Sequence, residues 1–272
     1  MKLSLSVNLS DILTEKKSIL ENLFSWGSIF DNGFHPGRIF RLVKEISLNG
    51  IELVASKNMN ERDIERVKKI LNEHEISVLS LHQPILTLYR IGLEGIRKLF
   101  EVASRLSAKF IVIHIFSLGK KIYDADFIGA LKLLEEKYGI KIGLENGTKN
   151  IIIGLKHHCY QGREFSEITA KLGLGITFDP THLAQANGSD IIDFYKRNRE
   201  RIVNIHLSDY KYGWFPHNLL NTHMALGKGD LPIEGFLKTL KKDYYDDLLT
   251  FEINRSAKEI KKSIDFARQF LA

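Results

Sequence analysis

"GITFDPTH", residues 175–182, begins as a strand and ends as no plain strand does. Gly175 to Phe178 suit burial, but Asp179, a proline and His182 then stand where packing favours apolar groups. A carboxylate and an imidazole withdrawn from water side by side are costly unless something pairs with them. The question that decides the fold is whether other strands end the same way.

They do. β-Rich runs are read at 3–8 (LSLSVN), 50–55 (GIELVA), 77–83 (SVLSLHQ), 110–116 (FIVIHIF), 140–146 (IKIGLEN), 175–180 (GITFDP), 203–209 (VNIHLSD) and 248–254 (LLTFEIN). Between them lie amphipathic stretches such as NERDIERVKKILNEH and DADFIGALKLLEEKYG, with apolar residues at helical spacing. Ser256 is placed to cap the last helix. No linker or low-complexity stretch interrupts the alternation. Eight strand–helix units in one run predict an α/β fold, a single (β/α)8 TIM barrel over residues 1–272. A doubly wound open sheet is the structural alternative.

The strand ends carry His82, His114, Glu145, Asp179, His206 and Glu252. In the last four strands the preceding residue is large and apolar: Leu144, Phe178, Ile205 and Phe251. Two positions back stand Gly143, Thr177, Asn204 and Thr250, all small or polar, and Ser80 lies beneath His82. Alternation along a strand therefore turns the polar ends toward the barrel axis and the apolar ones toward the helices. The polar ends converge on the C-terminal face, where barrel enzymes hold their active sites. Three carboxylates so close repel and raise one another's pKa. A divalent cation removes that conflict, since Asp, Glu and neutral His are its ligands. Separately satisfied polar groups in the core are the competing account.

Composition narrows the class. With 272 residues, 44% hydrophobic and 26% charged, the chain has the makeup of an ordinary globular protein with a sizeable core. No apolar run approaches the roughly 18 residues needed to span a bilayer, so no membrane partner is expected. The start, MKLSLSVNLS, reads as a strand rather than a secretory leader. The single Cys159 excludes an internal disulfide, and both features fit a cytoplasmic location. The net charge of +6 is spread over pairs such as Lys68 and Lys69, Lys241 and Lys242, and Lys261 and Lys262. That pattern reads as solvated helix faces rather than a DNA footprint.

In IGLEN, FDPTH, IHLSD, HMALGKGDLPIEGFLKTL and LTFEI the sequence resembles the xylose-isomerase-like barrels. These include sugar isomerases, ketose 3-epimerases, hydroxypyruvate isomerases and endonuclease IV-type abasic-site nucleases. The resemblance implies a metal held by Glu145, Asp179, His206 and Glu252, with His182 completing an Asp-x-x-His motif. GIELVA looks like the isomerase and epimerase branch. His82 and His114 match histidines of the nuclease's zinc cluster, as does His223, although Asn221 replaces an aspartate there. The nuclease's His-Pro-Gly after the fourth strand is missing, HIFSLG standing instead, and the HPG at 35–37 reads as a helix start.

Two chemistries follow from the resemblance. In the first, a sugar or sugar-phosphate isomerase or epimerase, Mn²⁺ or Mg²⁺ binds a carbohydrate's oxygens and stabilises an enediolate. Glu145 and Glu252 move the proton, and His82, His114, His182 and His223 steer the substrate. In the second, an abasic-site phosphodiesterase acting on DNA, two or three Zn²⁺ ions share the charge of the displacement. A homo-oligomer is compatible with either. Other residues get simpler readings. Trp26 and Phe34 fall in a long connection that can line a mouth, and Trp214 and Phe215 in a later one that can form a lid or a subunit contact. HHC at 157–159, in the loop after strand five, reads as surface, and GKG at 227–229 as a turn. Arg255 is assigned to a helix-start ion pair, and Glu52 either reaches the site or satisfies a neighbour.

Overall fold

A computed structural model of the chain describes residues 1–13, 36–56, 59–84, 92–114, 125–147, 162–187, 190–213 and 221–271. Eight strands are present: β1 Lys2–Asn8, β2 Gly50–Val54, β3 Val78–His82, β4 Phe110–His114, β5 Lys141–Glu145, β6 Gly175–Phe178, β7 Ile202–Leu207 and β8 Leu248–Phe251. Each pairs in parallel with the next, and β8 pairs with β1, which closes the barrel. The open-sheet alternative is thereby excluded. The described helices are α1 Leu9–Leu13, α2 Pro36–Glu45, α3 Glu61–Glu73, α4 Leu93–Arg105, α5 Ala125–Tyr138, α6 Gly162–Leu172, α7 Pro180–Asn187, α8 Ile191–Asn198, α9 Ile233–Lys242 and α10 Ala257–Leu271. None is long and apolar enough to cross a membrane.

Local chemistry accounts for the helix boundaries. At α3, Asn60 accepts from the Asp63 N–H and Asp63 accepts from the Asn60 N–H, a reciprocal cap. Ile64, Val67 and Leu71 then recur at the spacing that faces the barrel. Pro36 stands at the first position of α2, as HPG suggested. At α10, Glu259 accepts from both the N–H and the hydroxyl of Ser256, so Ser256 marks the start of that helix.

The outward strand residues carry the packing. Leu53, Leu81, Ile111, Leu144, Phe178, Ile205 and Phe251 are fully buried between barrel and helices. Phe178 meets Phe194 of α8 at 4.6 Å and Phe236 of α9 at 6.0 Å between ring centroids. Full burial of one such side chain stabilises by roughly 1.5–3 kcal/mol, so this outer layer anchors the wall.

The inward residues are a different material. Ser4, Glu52, Ser80, Thr177, Asn204 and Thr250 are all buried. The Ser4 and Thr250 hydroxyls lie 2.7 Å apart, Thr250 donates to Asn204 Oδ1 at 3.0 Å, and Asn204 donates to Glu52 at 3.2 Å. Gly143 belongs to this layer for want of room: a Cβ there would lie 2.2 Å from Thr177 Oγ1. The barrel therefore has a hydrogen-bonded floor beneath its C-terminal mouth.

Several strands end earlier than the sequence suggests. β6 stops at Phe178 because Asp179 turns away to cap α7, and β8 stops at Phe251, although the Glu252 N–H still bonds Leu207 O at 3.2 Å. β7 starts at Ile202, and Asp209 pairs beyond its end with Met224 in an isolated antiparallel bridge. Trp26, Phe34, residues 115–116, the HHC at 157–159 with Cys159, Trp214 and Phe215 lie outside the described residues.

Candidate metal centre

The C-terminal ends of the strands bring the sequence-predicted residues together. His82 closes β3, His114 closes β4 and Glu145 closes β5. Asp179 follows β6, His206 lies within β7 and Glu252 follows β8. His182 is on the first turn of α7, and His223 sits between β7 and α9 with φ +46°.

Asp-Pro-Thr-His is a helix start put to a second use. Asp179 Oδ1 accepts from the N–H of Thr181 at 2.6 Å and of His182 at 3.0 Å, the work of a capping aspartate, and Pro180 fills the next position. The other oxygen, Oδ2, is left to face the centre. Asn146, directly after Glu145, locks the two strand ends together. It accepts from the Asp179 N–H at 2.7 Å and donates to the Asp179 carbonyl at 2.8 Å.

Four of the imidazoles have one ring nitrogen engaged by an acceptor that is not a candidate ligand atom. His82 Nδ1 lies 2.6 Å from Gln83 O, and His182 Nδ1 lies 3.0 Å from Asn146 O. His223 Nδ1 lies 3.2 Å from Glu252 O, and His206 Nε2 lies 3.1 Å from Glu52 Oε1. The inner nitrogens turn to the shared carboxylates. His114 Nε2 and His82 Nε2 lie 2.9 and 3.3 Å from Glu145 Oε2. His206 Nδ1 lies 2.9 Å from Glu252 Oε2 and 3.4 Å from Glu145 Oε1. His182 Nε2 lies 3.4 Å from Asp179 Oδ2. An acceptor on the outer nitrogen is how metal-binding histidines are oriented.

Among the described residues three ligand sets result: His82, His114 and Glu145; Glu145, Asp179, His206 and Glu252; and Asp179, His182 and His223. Within each, one ligand atom per residue lies within 4.8 Å of the others. Glu145 belongs to the first two sets, and Asp179 to the last two. The four-residue set passes a direct test of fit. Glu145 Oε1, Asp179 Oδ2, His206 Nδ1 and Glu252 Oε2 are each buried without a hydrogen bond, one orphaned atom per residue. Buried polar atoms are rarely left so, and a coordinated cation satisfies all four at once.

The electrostatics describe the same conflict. Burial opposes charge on His206, but Glu52, Glu145 and Glu252 outweigh it and lift its pKa well above the ordinary imidazole value. Burial likewise opposes charge on His182, yet Asp179 and Glu145 raise it to about 9. On Glu145 the burial penalty is overcome by His114 and His206, which hold the carboxyl well below its usual range. Asp179 goes the other way, pushed up by burial and by Glu252 and Glu145 against His182 and His223. Without a cation, protons on imidazoles balance the carboxylates.

Two further buried carboxylates are structural parts of this region: Glu52, read as reaching the site or satisfying a neighbour, and Asp209, given no role in the sequence. Glu52 accepts from Ser80 Oγ at 2.7 Å and faces His206. Its place in β2, paired with Ser80 across the register, is the signal that it points inward. Asp209, the end of IHLSD, accepts from the N–H groups of Tyr210, Gly227, Gly229 and Leu231. GKG is therefore a turn fastened to Asp209 rather than a phosphate loop. Gly229 must be glycine there, since a Cβ would lie 2.3 Å from Asp209 Oδ1. Arg255 donates to its neighbour's carbonyl, Asn254 O, at 2.6 Å.

Comparison with known proteins agrees with this architecture. The uncharacterized protein MJ1311 of Methanocaldococcus jannaschii is 24% identical over 247 residues, covering 84% of this chain and 79% of that protein. A crystal structure of a D-tagatose 3-epimerase-like protein superposes with a TM-score of 0.67 at 19% identity, covering 100% of this chain and 97% of that one. Endonuclease IV from Thermus thermophilus gives a TM-score of 0.62 at 15% identity, covering 100% of this chain and 99% of that one. At these identities the structures share the fold. Residues 40–270 match the family described as xylose isomerase-like TIM barrel. With that match over most of its length, the chain belongs to the xylose isomerase-like TIM barrel family.

Proposed function

We propose that the chain is a divalent-metal-dependent phosphoesterase that hydrolyses a phosphodiester, with DNA cleaved at abasic sites as the leading substrate. The observation that carries this reading is the linkage of three ligand sets through Glu145 and Asp179. An enzyme using one cation needs only Glu145, Asp179, His206 and Glu252. His82, His114, His182 and His223, assigned to substrate in the sequence, are better employed as further metal ligands. Divalent ions held there supply Lewis acidity, drawing charge from phosphoryl oxygens and making water nucleophilic at neutral pH. The protein's part is to hold its imidazoles in the ligating tautomer, to share two carboxylates between sets, and to keep the floor of the site dry. Metal analysis of the purified protein, with abasic-duplex cleavage by zinc-loaded protein, tests the reading. Two or three ions per chain and strand scission are expected; one ion and intact DNA would overturn it.

A second reading, a sugar or sugar-phosphate isomerase or epimerase with Mn²⁺ or Mg²⁺, draws on one observation. The four-residue set is complete by itself, and Glu252 and Glu145 both reach the His206 Nδ1 side of it, at 2.9 and 3.4 Å. Two such carboxylates can take a proton from one carbon and return it to a neighbour. Carbon-bound deuterium in candidate sugars incubated in D₂O with Mn²⁺ is the expected sign, and its absence across a broad panel argues against proton-transfer chemistry.

A further inference from the structure

Glu52 is fully buried in the barrel interior, a layer below the candidate ligands, and neither reading above gives it a step. Its Oε2 accepts from Ser80 Oγ at 2.7 Å and from Asn204 Nδ2 at 3.2 Å. The His206 Nε2 lies 3.1 Å from Oε1 and 3.2 Å from Oε2. Strands β2 and β7 are not neighbours, since β1 and β8 stand between them in the wall. The contact therefore crosses the lumen. A carboxylate in such a place is costly and survives only with good partners.

The geometry of His206 says what the carboxylate does. A neutral imidazole carries one N–H; both nitrogens of His206 face a carboxylate, and the one that binds a cation gives up its proton, leaving the N–H on the other. With the proton on Nε2, the lone pair sits on Nδ1, the atom beside Glu252 Oε2 at 2.9 Å. With a cation in the set, the opposite tautomer would aim an N–H at the ion and a lone pair at Glu52, repulsive at both ends. Ser80 and Asn204 hold Glu52 in turn, and Asn204 is itself held through Thr250 and Ser4.

We propose that Glu52 is a positioning residue that acts through His206, fixing its ring orientation and tautomer so that Nδ1 is presented to a divalent cation shared with Glu145, Asp179 and Glu252. The inference rests on the four-residue set being a metal site, and holds whichever reaction that site performs. It separates Glu52 from an ordinary core polar group, which would affect folding but not the affinity of the folded protein for metal.

The test uses the full chain loaded with Zn²⁺ or Co²⁺ and does not depend on turnover. In a chelator competition well below the melting temperature, Glu52→Gln should bind Zn²⁺ about 10–100-fold more weakly than wild type. An affinity for the folded variant within about twofold of wild type would overturn the proposal. Should Glu52→Gln not fold, the wild type alone decides. In the Co²⁺-loaded protein the shifted Nε2–H resonance of His206 should exchange slowly with solvent, because Glu52 holds that proton. Rapid exchange of that proton sinks the idea. A wild-type chain that takes up no divalent ion overturns the metal-centre reading itself and this inference with it, an outcome distinct from a wild type that binds while Glu52→Gln binds equally.

Discussion

Asp179 holds His182 twice: Oδ1 accepts the histidine's backbone N–H at 3.0 Å, and Oδ2 lies 3.4 Å from its Nε2. One side chain thus starts α7, orients an imidazole and belongs to two ligand sets.

Asp179→Asn should part the two jobs. Asparagine caps a helix as well as aspartate does, so the metal-free protein should keep α7 and lose only the stability that Asp179 gives by raising His182. As a cation ligand shared between sets the amide is poor, so metal analysis should find more than one ion lost per chain. Asp179→Ala should also lose the cap, at about 1 kcal/mol. Full occupancy in Asp179→Asn would show that the carboxylate bridges nothing.

His114→Ala separates the two proposed chemistries. It disables the set of His82, His114 and Glu145 while leaving the four-residue set whole. If phosphodiester hydrolysis uses the linked sets, cleavage should fall on the order of 100-fold. A single-ion isomerase would keep its one metal and lose only what His114 contributes to steering its substrate. Rate and ion count measured on one preparation decide between them.

Acidity gives a third check. In the metal-free protein His182 is raised to about 9 and His206 is raised well above its ordinary value. A raised histidine stabilises the fold fully below its unfolded pKa, about 6.5, and that contribution is lost as pH rises through the folded value. Metal-free protein should therefore melt progressively lower between about pH 6.5 and 9. Cations replace these protons, so loaded protein should lack that decline and metal uptake at neutral pH should release protons. Calorimetric titration in two buffers of different ionisation enthalpy measures the release; none at pH 7 would contradict the assignment.

Asp209→Ala addresses the mouth rather than the metal. Four N–H groups lose their acceptor, those of Tyr210, Gly227, Gly229 and Leu231. Each buried donor left unsatisfied costs about 1–3 kcal/mol, though water reaches some of them after the loop loosens. A net loss of roughly 2–4 kcal/mol in denaturant unfolding is expected. An unchanged midpoint would mean that the Asp209–Met224 bridge alone secures this segment.

Much of this architecture is legible in the sequence because alternation survives translation into a barrel. Gly143 and Glu145, Thr177 and Asp179, Asn204 and His206, and Thr250 and Glu252 are pairs two residues apart, and each pair shares the inward side. Closure was expected from eight units in one run and is found; the register that sets β8 beside β1 could not be read. Strand ends at Asp179 and Glu252 ran long because a residue that points inward need not stay in the ladder. Glu52 could be read only as reaching the site or satisfying a neighbour, because its flanks, Ile51 and Leu53, look like any core strand and its partner His206 is 154 positions away. The acceptors that orient His82, His182 and His223 are backbone carbonyls, which leave no trace in residue identity.

The sharing of carboxylates between neighbouring ligand sets has an electroneutrality consequence. Glu145, Asp179, Glu252 and Glu52 together bring four negative charges, which two divalent cations cancel in full. A third cation leaves two positive charges in surplus, and a poorly hydrated interior tolerates that only beside an anion. Under the proposed phosphoesterase reading, the pocket would take its last cation and a phosphate group as a pair, each raising the residence time of the other.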